Sequence, residues 1–167
     1  SEEKSVLLMN NGTQSLSTLI TRILFEMPYQ KGWKFLLRSE HLTEKDKRQA
    51  LQRNDFKIIT GLTNTHMEIA NADIVMARGG YNIICELLAL NKPSVIIDEK
   101  HNPEIESNLI LAKNYKNIEI SFKKDVIKRL HSIMQSYPNQ ELFKGPHLSC
   151  IGASQVLLKI ASDFNLH

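Results

Sequence analysis

One segment of this sequence, residues 72–98 (ADIVMARGGYNIICELLALNKPSVIID), restricts the possible folds more than any other. Residues 74–76 form a short apolar run, which is typical of a strand that is buried on both faces of a sheet. Two glycines at 79–80 then allow the backbone to turn sharply. Residues 81–90 have the composition of a helix, and a second apolar strand is predicted at 94–98. The segment therefore predicts a strand–turn–helix–strand unit, the kind that builds a parallel sheet.

The double-glycine turn is also a candidate anion-binding site. A helix that starts directly after such a turn leaves its first backbone N–H groups without helical partners and directs the positive end of its dipole toward the turn. Both features would stabilise a phosphate group at this position. We therefore expect the turn to bind a phosphate-bearing ligand.

Glu86 is the one charged residue within the apolar helix sequence IICELLAL. Asn82 precedes it by one helical turn, so both residues lie on the same helix face, close to the glycine turn. A carboxylate there could accept two hydrogen bonds from a vicinal diol such as a ribose. Alternatively, Glu86 lies at the surface in an ion pair with a lysine. The spacing does not distinguish between these two interpretations.

The rest of the chain alternates between predicted strands and helices. Further strands are predicted at residues 5–9, 33–37, 56–60 and 118–121, and further helices at 16–27, at 43–53 with Thr43 as its cap and Leu51 facing inward, at 64–71, from 101–103 to 113, at 125–136, near Leu142 and at 153–164. This alternation predicts an α/β fold with a doubly wound, Rossmann-like parallel sheet of six strands and helices on both faces. We expect a single domain over residues 1–167, with the common strand order 3-2-1-4-5-6.

That strand order places the first strand beside the fourth, at the topological switch point of the sheet. Ligands of doubly wound folds bind in the crevice outside the strand ends at this point. The turns that leave the two strands are NNGTQS (residues 10–15) and ARGGYN (residues 77–82). We therefore predict a phosphate-bearing ligand between residues 12–15 and 79–82.

Several function classes lack their motifs in this sequence. The chain has no GxGxxG dinucleotide fingerprint after its first strand, no GxxxxGK[ST] P-loop and no GxSxG nucleophile elbow. The net charge of +3 is too small to predict a nucleic-acid partner. Cys85 and Cys150 lie far apart in apolar settings, which predicts reduced core residues in a cytoplasmic protein. Histidine and cysteine residues show no metal-ligand spacing, so we expect no metal site.

Taken together, several motifs resemble the C-terminal, donor-binding half of a GT-B glycosyltransferase, and family 28 (MurG-like) in particular. The segment 72–98, followed by HNPEIESNLILAKN, resembles the family's strand, small-residue turn, helix with an inward glutamate, second strand and sugar-contacting loop. NNGTQS resembles its glycine-rich turn after the first strand, GLTNTHMEIANAD its base-binding segment and IGASQVLLKI its final helix. The resemblance covers essentially the whole chain.

This resemblance implies a site for a nucleotide-sugar donor, with a UDP-sugar expected, and transfer of a hexosyl group to an acceptor without a metal ion or other cofactor. Backbone amides and a helix N-terminus would stabilise the diphosphate as it becomes a leaving group. The implied donor-binding residues are Gly12, Thr13, Gln14, Ser15, Arg78, Gly79, Gly80, Tyr81 and Asn82 around the diphosphate, Glu86 at the ribose, Gly61 and Leu62 at the base, and Asn102, Glu104 and Glu106 near the sugar.

Some assignments within this resemblance stay open. Arg78 would face the phosphates or form a salt bridge. No catalytic base is assigned, and the candidates are His101 and Glu104, although a loop histidine is more commonly a surface residue. The family often has glutamine in the sugar-contacting loop where this chain has glutamates, so the identity of the sugar is open. Asn91 replaces a family glycine and can adopt the left-handed helix cap that glycine would provide.

The acceptor-binding half of a GT-B enzyme has no counterpart in this chain. We therefore expect a partner for it, either an N-terminal acceptor domain that has been cut away or a separate subunit, and little transfer by the chain alone. The basic run at residues 123–129 is a solvated helix face or, as a second interpretation, a contact with the acidic inner face of a membrane. The alternative functions are a UDP-sugar hydrolase or epimerase on the same fold and a non-enzymatic nucleotide-binding subunit.

Overall fold

The structure is a computed structural model that describes residues 2–10, 14–38, 40, 42–61, 64–99 and 101–137. Strands and helices alternate along this part of the chain, as predicted. Their bounds are β1 Lys4–Leu8, α1 Gln14–Glu26, β2 Trp33–Arg38, α2 Glu44–Leu51, β3 Phe56–Ile59, α3 Thr65–Asn71, β4 Ile74–Arg78, α4 Tyr81–Ala89, β5 Ser94–Ile97, α5 Pro103–Ala112, β6 Ile118–Ser121 and α6 Val126–Ser136. The helices predicted near Leu142 and at 153–164 lie outside the described residues.

The six strands form one sheet in the order β3-β2-β1-β4-β5-β6, which confirms the predicted doubly wound arrangement. The pairs β1–β2, β1–β4, β2–β3 and β5–β6 are all parallel. Residues 74–77 of β4 and all of β5 are buried. Because successive side chains of a strand point to opposite faces, this pattern means that both faces of these strands are covered.

The chain divides into two compact units, Ser1–Ala77 and Arg78–His167. In the first unit, Leu7 and Leu8 of β1 are almost completely buried, and the rings of Phe35 and Phe56 stack with 4.8 Å between their centroids. In the second unit, Ile84–Leu88 of α4 and the side chains of β5 form the centre of the core. The prediction of one domain over residues 1–167 stays a prediction.

Arg53 joins several backbone and side-chain groups in the first unit. Its Nη1 donates to the carbonyl oxygens of Leu24 (3.2 Å) and Met27 (2.7 Å), at the end of α1. Its Nε and Nη2 donate to the two carboxylate oxygens of Asp55, at 2.9 and 2.6 Å. Asp55 is only 2% exposed. Arg53 therefore compensates a buried charge and satisfies backbone carbonyls that the helix leaves without internal partners.

The prediction that Leu51 lies on the inner side of α2 is wrong, because Leu51 is 78% exposed. The buried residues of α2 are Asp46 and Ala50, which are separated by one helical turn. Asp46 completes a capping box with Thr43 and accepts a hydrogen bond from Thr21 Oγ1 of α1 at 3.0 Å. These polar contacts decide which face of α2 is directed toward α1, and a hydrophobic pattern cannot reveal them.

The end of α4 shows the predicted left-handed cap. Asn91 has a φ of 48°, and its N–H donates to the carbonyl of Leu88 at 3.2 Å. Asn117 supports the same turn, since its Nδ2 donates to the Lys92 carbonyl at 3.0 Å. These bonds fix the loop that leads from α4 into β5.

Candidate functional site

The first glycine of the turn after β4 is required by packing within the second unit. A Cβ atom on Gly79 would lie 3.2 Å from Leu109 Cδ2 and 3.3 Å from both Ile105 Cγ2 and Ile96 Cγ2. Asn108 Nδ2 also donates to the Gly79 carbonyl at 2.9 Å, in a buried position. Gly79 therefore allows α5 to pack closely against the turn, and Asn108 fixes the direction of the turn.

The second glycine has no such packing role. A Cβ atom on Gly80 would meet nothing within 4 Å, and Gly80 is the N-cap of α4 without a side-chain hydrogen bond. By contrast, the side chains of Thr43, Asn64 and Asn102 cap α2, α3 and α5. The beginning of α4 therefore combines open space around Gly80 with an N-cap residue that has no side chain to cap the helix, which is an arrangement that an anionic ligand can use.

Glu86 is buried, with 1% of its surface exposed. The interpretation of Glu86 as a surface residue is therefore wrong. Asn82, one turn earlier in α4, is exposed, so the helix passes from the solvent-accessible glycine turn into the core between these two residues. Glu86 therefore lies in the core, on the helix that begins at the glycine turn.

Arg78, which directly precedes the glycine turn, forms a salt bridge. Its Nε donates to Glu99 Oε2 at 3.0 Å, and the side chains of Arg78 and Glu99 are 27% and 12% exposed. Of the two interpretations left open for Arg78, the structure therefore shows the ion pair. Glu99 is not among the residues predicted from the sequence. An acidic residue two positions after the end of β5 was the signal that could have identified it.

The predicted sugar-contacting residues lie at the beginning of α5. Asn102 caps this helix, because its Oδ1 accepts a hydrogen bond from the Ile105 N–H at 3.3 Å. Glu104 and Glu106 are exposed in the first turn, where carboxylates stabilise a helix through its dipole. His101 is also exposed and has a φ of 69°. These residues are near one another in the chain and accessible to a ligand.

A groove of about 660 Å³ lies beside these residues in the second unit. The described residues that line it come from α5, β6 and the segments next to β5 and β6: Asp98, Glu106, Leu109, Ile110, Lys113, Ile118, Glu119, Ile120 and Phe122. Glu106 shares this groove with Asp98 and Lys113. Gly79, Gly80 and Glu86 are not among its described lining residues, so the groove and the glycine turn are separate features.

In the first unit, the turns after β1 and β3 contain the other predicted donor-binding residues. Gly12, Thr13 and Leu62 lie outside the described residues. Gln14 and Ser15 begin α1, and their side chains also lie outside the description. Just before that turn, Asn10 Nδ2 donates to Ser17 Oγ at 2.7 Å.

Gly61 is exposed and has a φ of 90°, a backbone conformation that favours glycine. Its carbonyl accepts a hydrogen bond from Arg38 Nη2 at 3.1 Å. Among the described residues of both units, no group of three or more histidine, cysteine, aspartate or glutamate side chains could hold a metal ion.

Residues 10–137 match the sequence model of the family described as "Glycosyltransferase family 28 C-terminal domain". This chain belongs to that family. The match covers the glycine turn, Glu86 and the beginning of α5, and it confirms the family that the sequence motifs indicated. A comparison with curated proteins finds no match.

Solved structures show the same fold at low sequence identity. MurG from Acinetobacter baumannii is similar with a TM-score of 0.62 and 11% identity over 97% of this chain and 50% of that protein. UDP-GlcNAc 2-epimerase from Neisseria meningitidis, solved with UDP-GlcNAc bound, is similar with a TM-score of 0.58 and 12% identity, over 98% of this chain and 45% of that protein. The glycotransferase of kitacinnamycin is similar with a TM-score of 0.56 and 14% identity, over 96% of this chain and 39% of that protein.

The chain therefore spans half or less of the length of these three proteins. None of the helices in the described part of the chain is long and apolar enough to cross a membrane.

Proposed function

We propose that this chain is the donor-binding domain of a glycosyltransferase that transfers a hexosyl group from a UDP-sugar to an acceptor without a metal ion. The observation that supports this most strongly is the family 28 match over residues 10–137, together with the buried Glu86 one helical turn beyond Asn82. In this proposal α4 binds the donor with both its N-terminus and the carboxylate on its next turn.

Each proposed contact is matched to one part of the donor: the diphosphate, the ribose, the base or the sugar. The backbone amides of Gly79, Gly80 and Tyr81 would approach the diphosphate from the open side of the α4 N-terminus, and Glu86 would accept hydrogen bonds from the ribose hydroxyls. Gly61 and Leu62 would contact the base by backbone amide and by packing. The remaining proposed donor-binding residues are Gly12, Thr13, Gln14 and Ser15 near the diphosphate and Asn102, Glu104 and Glu106 near the sugar.

The chemistry of this reaction needs mainly leaving-group stabilisation. An acceptor hydroxyl oxygen forms a bond to the anomeric carbon, the bond from that carbon to the diphosphate oxygen breaks, and UDP leaves with the bonding electrons. Negative charge then increases on the diphosphate, and fixed N–H groups at a helix N-terminus stabilise it. The hydroxyl proton must pass to a base, for which His101 and Glu104 are the candidates in this chain.

Transfer also needs a site for the acceptor. We propose that an acceptor-binding half, in the same polypeptide or in a partner subunit, supplies this site and completes the enzyme. The isolated chain should therefore bind the donor and transfer little sugar. The same proposal includes a cytoplasmic location and attachment of the complete enzyme to the inner membrane face through the basic residues 123–129.

Calorimetric titration of the chain with UDP, GDP and TDP tests the donor site. We expect saturable binding of UDP, and Glu86→Gln should weaken it by about 1.5–3 kcal/mol, the range for a hydrogen bond to a charged group. Glu44→Gln is the matched control, because Glu44 is exposed on α2 and pairs only with Lys47 at the surface among the described contacts. Equal UDP affinity of Glu86→Gln and the control would contradict the ribose contact, and no nucleotide binding by the unmodified chain would contradict the donor site.

A UDP-sugar epimerase or hydrolase is the second candidate, because the fold is shared with a UDP-GlcNAc 2-epimerase over 98% of this chain. Such an enzyme needs an acid or base near the anomeric carbon, and His101, Glu104 and Glu106 are the candidates. Incubation with a UDP-sugar without acceptor distinguishes the two activities. Free sugar, or a changed sugar still attached to UDP, supports the second candidate, whereas an unchanged donor supports the transferase.

A further inference from the structure

Arg38, the last residue of β2, belongs to none of the sequence motifs and is not a proposed donor contact, but its side chain bonds to residues of the segment 61–73. Its guanidinium donates from Nη2 to the Gly61 carbonyl at 3.1 Å, from Nη1 to the Glu68 carboxylate and from Nε to Glu40 Oε1 at 2.5 Å. One side chain therefore connects the ends of β2 and β3 with α3, entirely within the first unit.

The Gly61 carbonyl accepts a hydrogen bond from the side chain of Arg38 in β2. Gly61 has a φ of 90° and is exposed, and a Cβ atom built on it would meet nothing within 4 Å. Glycine also has the greatest backbone freedom of any residue. The hydrogen bond from Arg38 is therefore the described contact that fixes the direction of the Gly61 carbonyl.

Arg38 is itself held in place on two sides. Its backbone pairs with Ile59 in the parallel register of β2 and β3, two residues before Gly61. Its guanidinium is bonded to Glu68 of α3, whose side chain is only 9% exposed. Arginine presents several N–H donors in a rigid planar fork and binds the Glu68 carboxylate and the Gly61 carbonyl at the same time, in a fixed geometry that the compact ammonium of lysine does not present.

We propose that Arg38 is a positioning residue for recognition of the nucleobase, acting through the Gly61 turn. This inference rests on the proposed function, in which the backbone of Gly61 contacts the base of a nucleoside diphosphate. Arg38 holds that backbone in the conformation that selects one base, with Glu68 fixing the guanidinium. It acts on selectivity between bases, and the shared ribose and diphosphate are bound by other residues.

The test compares nucleotides that differ only in the base. The full chain is titrated with UDP, CDP, GDP and ADP, and the ratio of the strongest to the weakest affinity is measured. Arg38→Met should lower this ratio by roughly tenfold, as expected for the loss of one hydrogen bond to a charged group. Arg38→Lys should lower it similarly, because the charge remains while the fork is lost. Glu68→Gln, which preserves shape, should lower it in part.

Arg129→Met is the matched control, since Arg129 pairs with Glu119 at an exposed position of the second unit. The ratio of the strongest to the weakest nucleotide affinity should be the same in this variant as in the unmodified chain. If Arg38 had a purely structural role, its replacement would reduce the folded fraction and weaken the binding of all four nucleotides equally. That result would overturn the proposal, and so would an unchanged affinity ratio in Arg38→Lys. If the unmodified chain binds none of the four nucleotides, the proposed function fails and this inference fails with it. Binding without base preference in the unmodified chain overturns only the inference.

Discussion

Gly79 and Gly80 are adjacent in the chain, but the structure predicts different consequences when each is replaced by alanine. In Gly79→Ala the new methyl group would lie 3.2–3.3 Å from side-chain carbons of Leu109, Ile105 and Ile96. These three side chains are buried in the core, so they can move apart only by disturbing their own contacts. Overpacking of this kind typically costs about 1–3 kcal/mol in the free energy of unfolding.

Gly80→Ala should leave the stability of the fold nearly unchanged. Gly80 has φ −64° and ψ 145°, which alanine adopts without strain, and its Cβ would meet nothing within 4 Å. Alanine is a poorer N-cap, but it also reduces the freedom of the unfolded chain, and the two effects are of similar size, each about 0.5–1 kcal/mol. The methyl group would, however, occupy the open space through which a diphosphate is proposed to approach α4.

Urea unfolding and UDP titration on both variants measure these two effects separately. We expect Gly79→Ala to lose stability and to bind UDP with nearly the original affinity once it is folded at low temperature. We expect Gly80→Ala to keep its stability and to bind UDP at least tenfold more weakly, a change of about 1.4 kcal/mol. Unchanged stability in Gly79→Ala would refute the packing argument, and unchanged affinity in Gly80→Ala would refute the proposed approach to the helix N-terminus.

Three further predictions concern stability and can be measured by urea unfolding. Arg53→Met should cost about 3–5 kcal/mol because it leaves the buried Asp55 carboxylate without its ion pair, and adding Asp55→Asn should recover part of that loss. Asn91→Ala should cost about 1–2 kcal/mol because φ is positive there, whereas Asn91→Gly should not. Asn108→Ala should cost about 1–3 kcal/mol because the buried Gly79 carbonyl loses its donor, and an undiminished stability would show that this bond is dispensable.

The order of the elements could be predicted from the sequence because parallel strands covered on both faces appear as continuous apolar runs. The strands at 74–78 and 94–97 are of this kind. Thr43 was also identifiable as a cap, since a hydroxyl before a charged helix is a local signal. Leu51 was misplaced because Asp46 is held inward by Thr21, a residue of another helix. That contact depends on tertiary structure and leaves no periodic pattern in the sequence.

Residues of the candidate site could be predicted only where the neighbouring sequence identified them. Glu86 was noticeable as a charge within an apolar helix, but its burial could be decided only by the fold. Arg38 and Glu99 were missed because their partners are distant in sequence: Glu68 is 30 residues from Arg38, and Glu99 is 21 residues from Arg78. Ion pairs of this kind form when the fold brings distant segments of the chain together, which the spacing of charges along the chain does not show.

The position of β1 between β2 and β4 also has a consequence during synthesis of the protein. β1 pairs with β2 and then with β4, through the registers Val6 with Phe35 and Val6 with Ile74. Until the ribosome has released β4, one edge of β1 is an unpaired strand edge whose apolar side chains at residues 6–8 lack part of their cover. Such edges associate readily with other strands. A nascent chain that ends before β4 should therefore be an early substrate for chaperones.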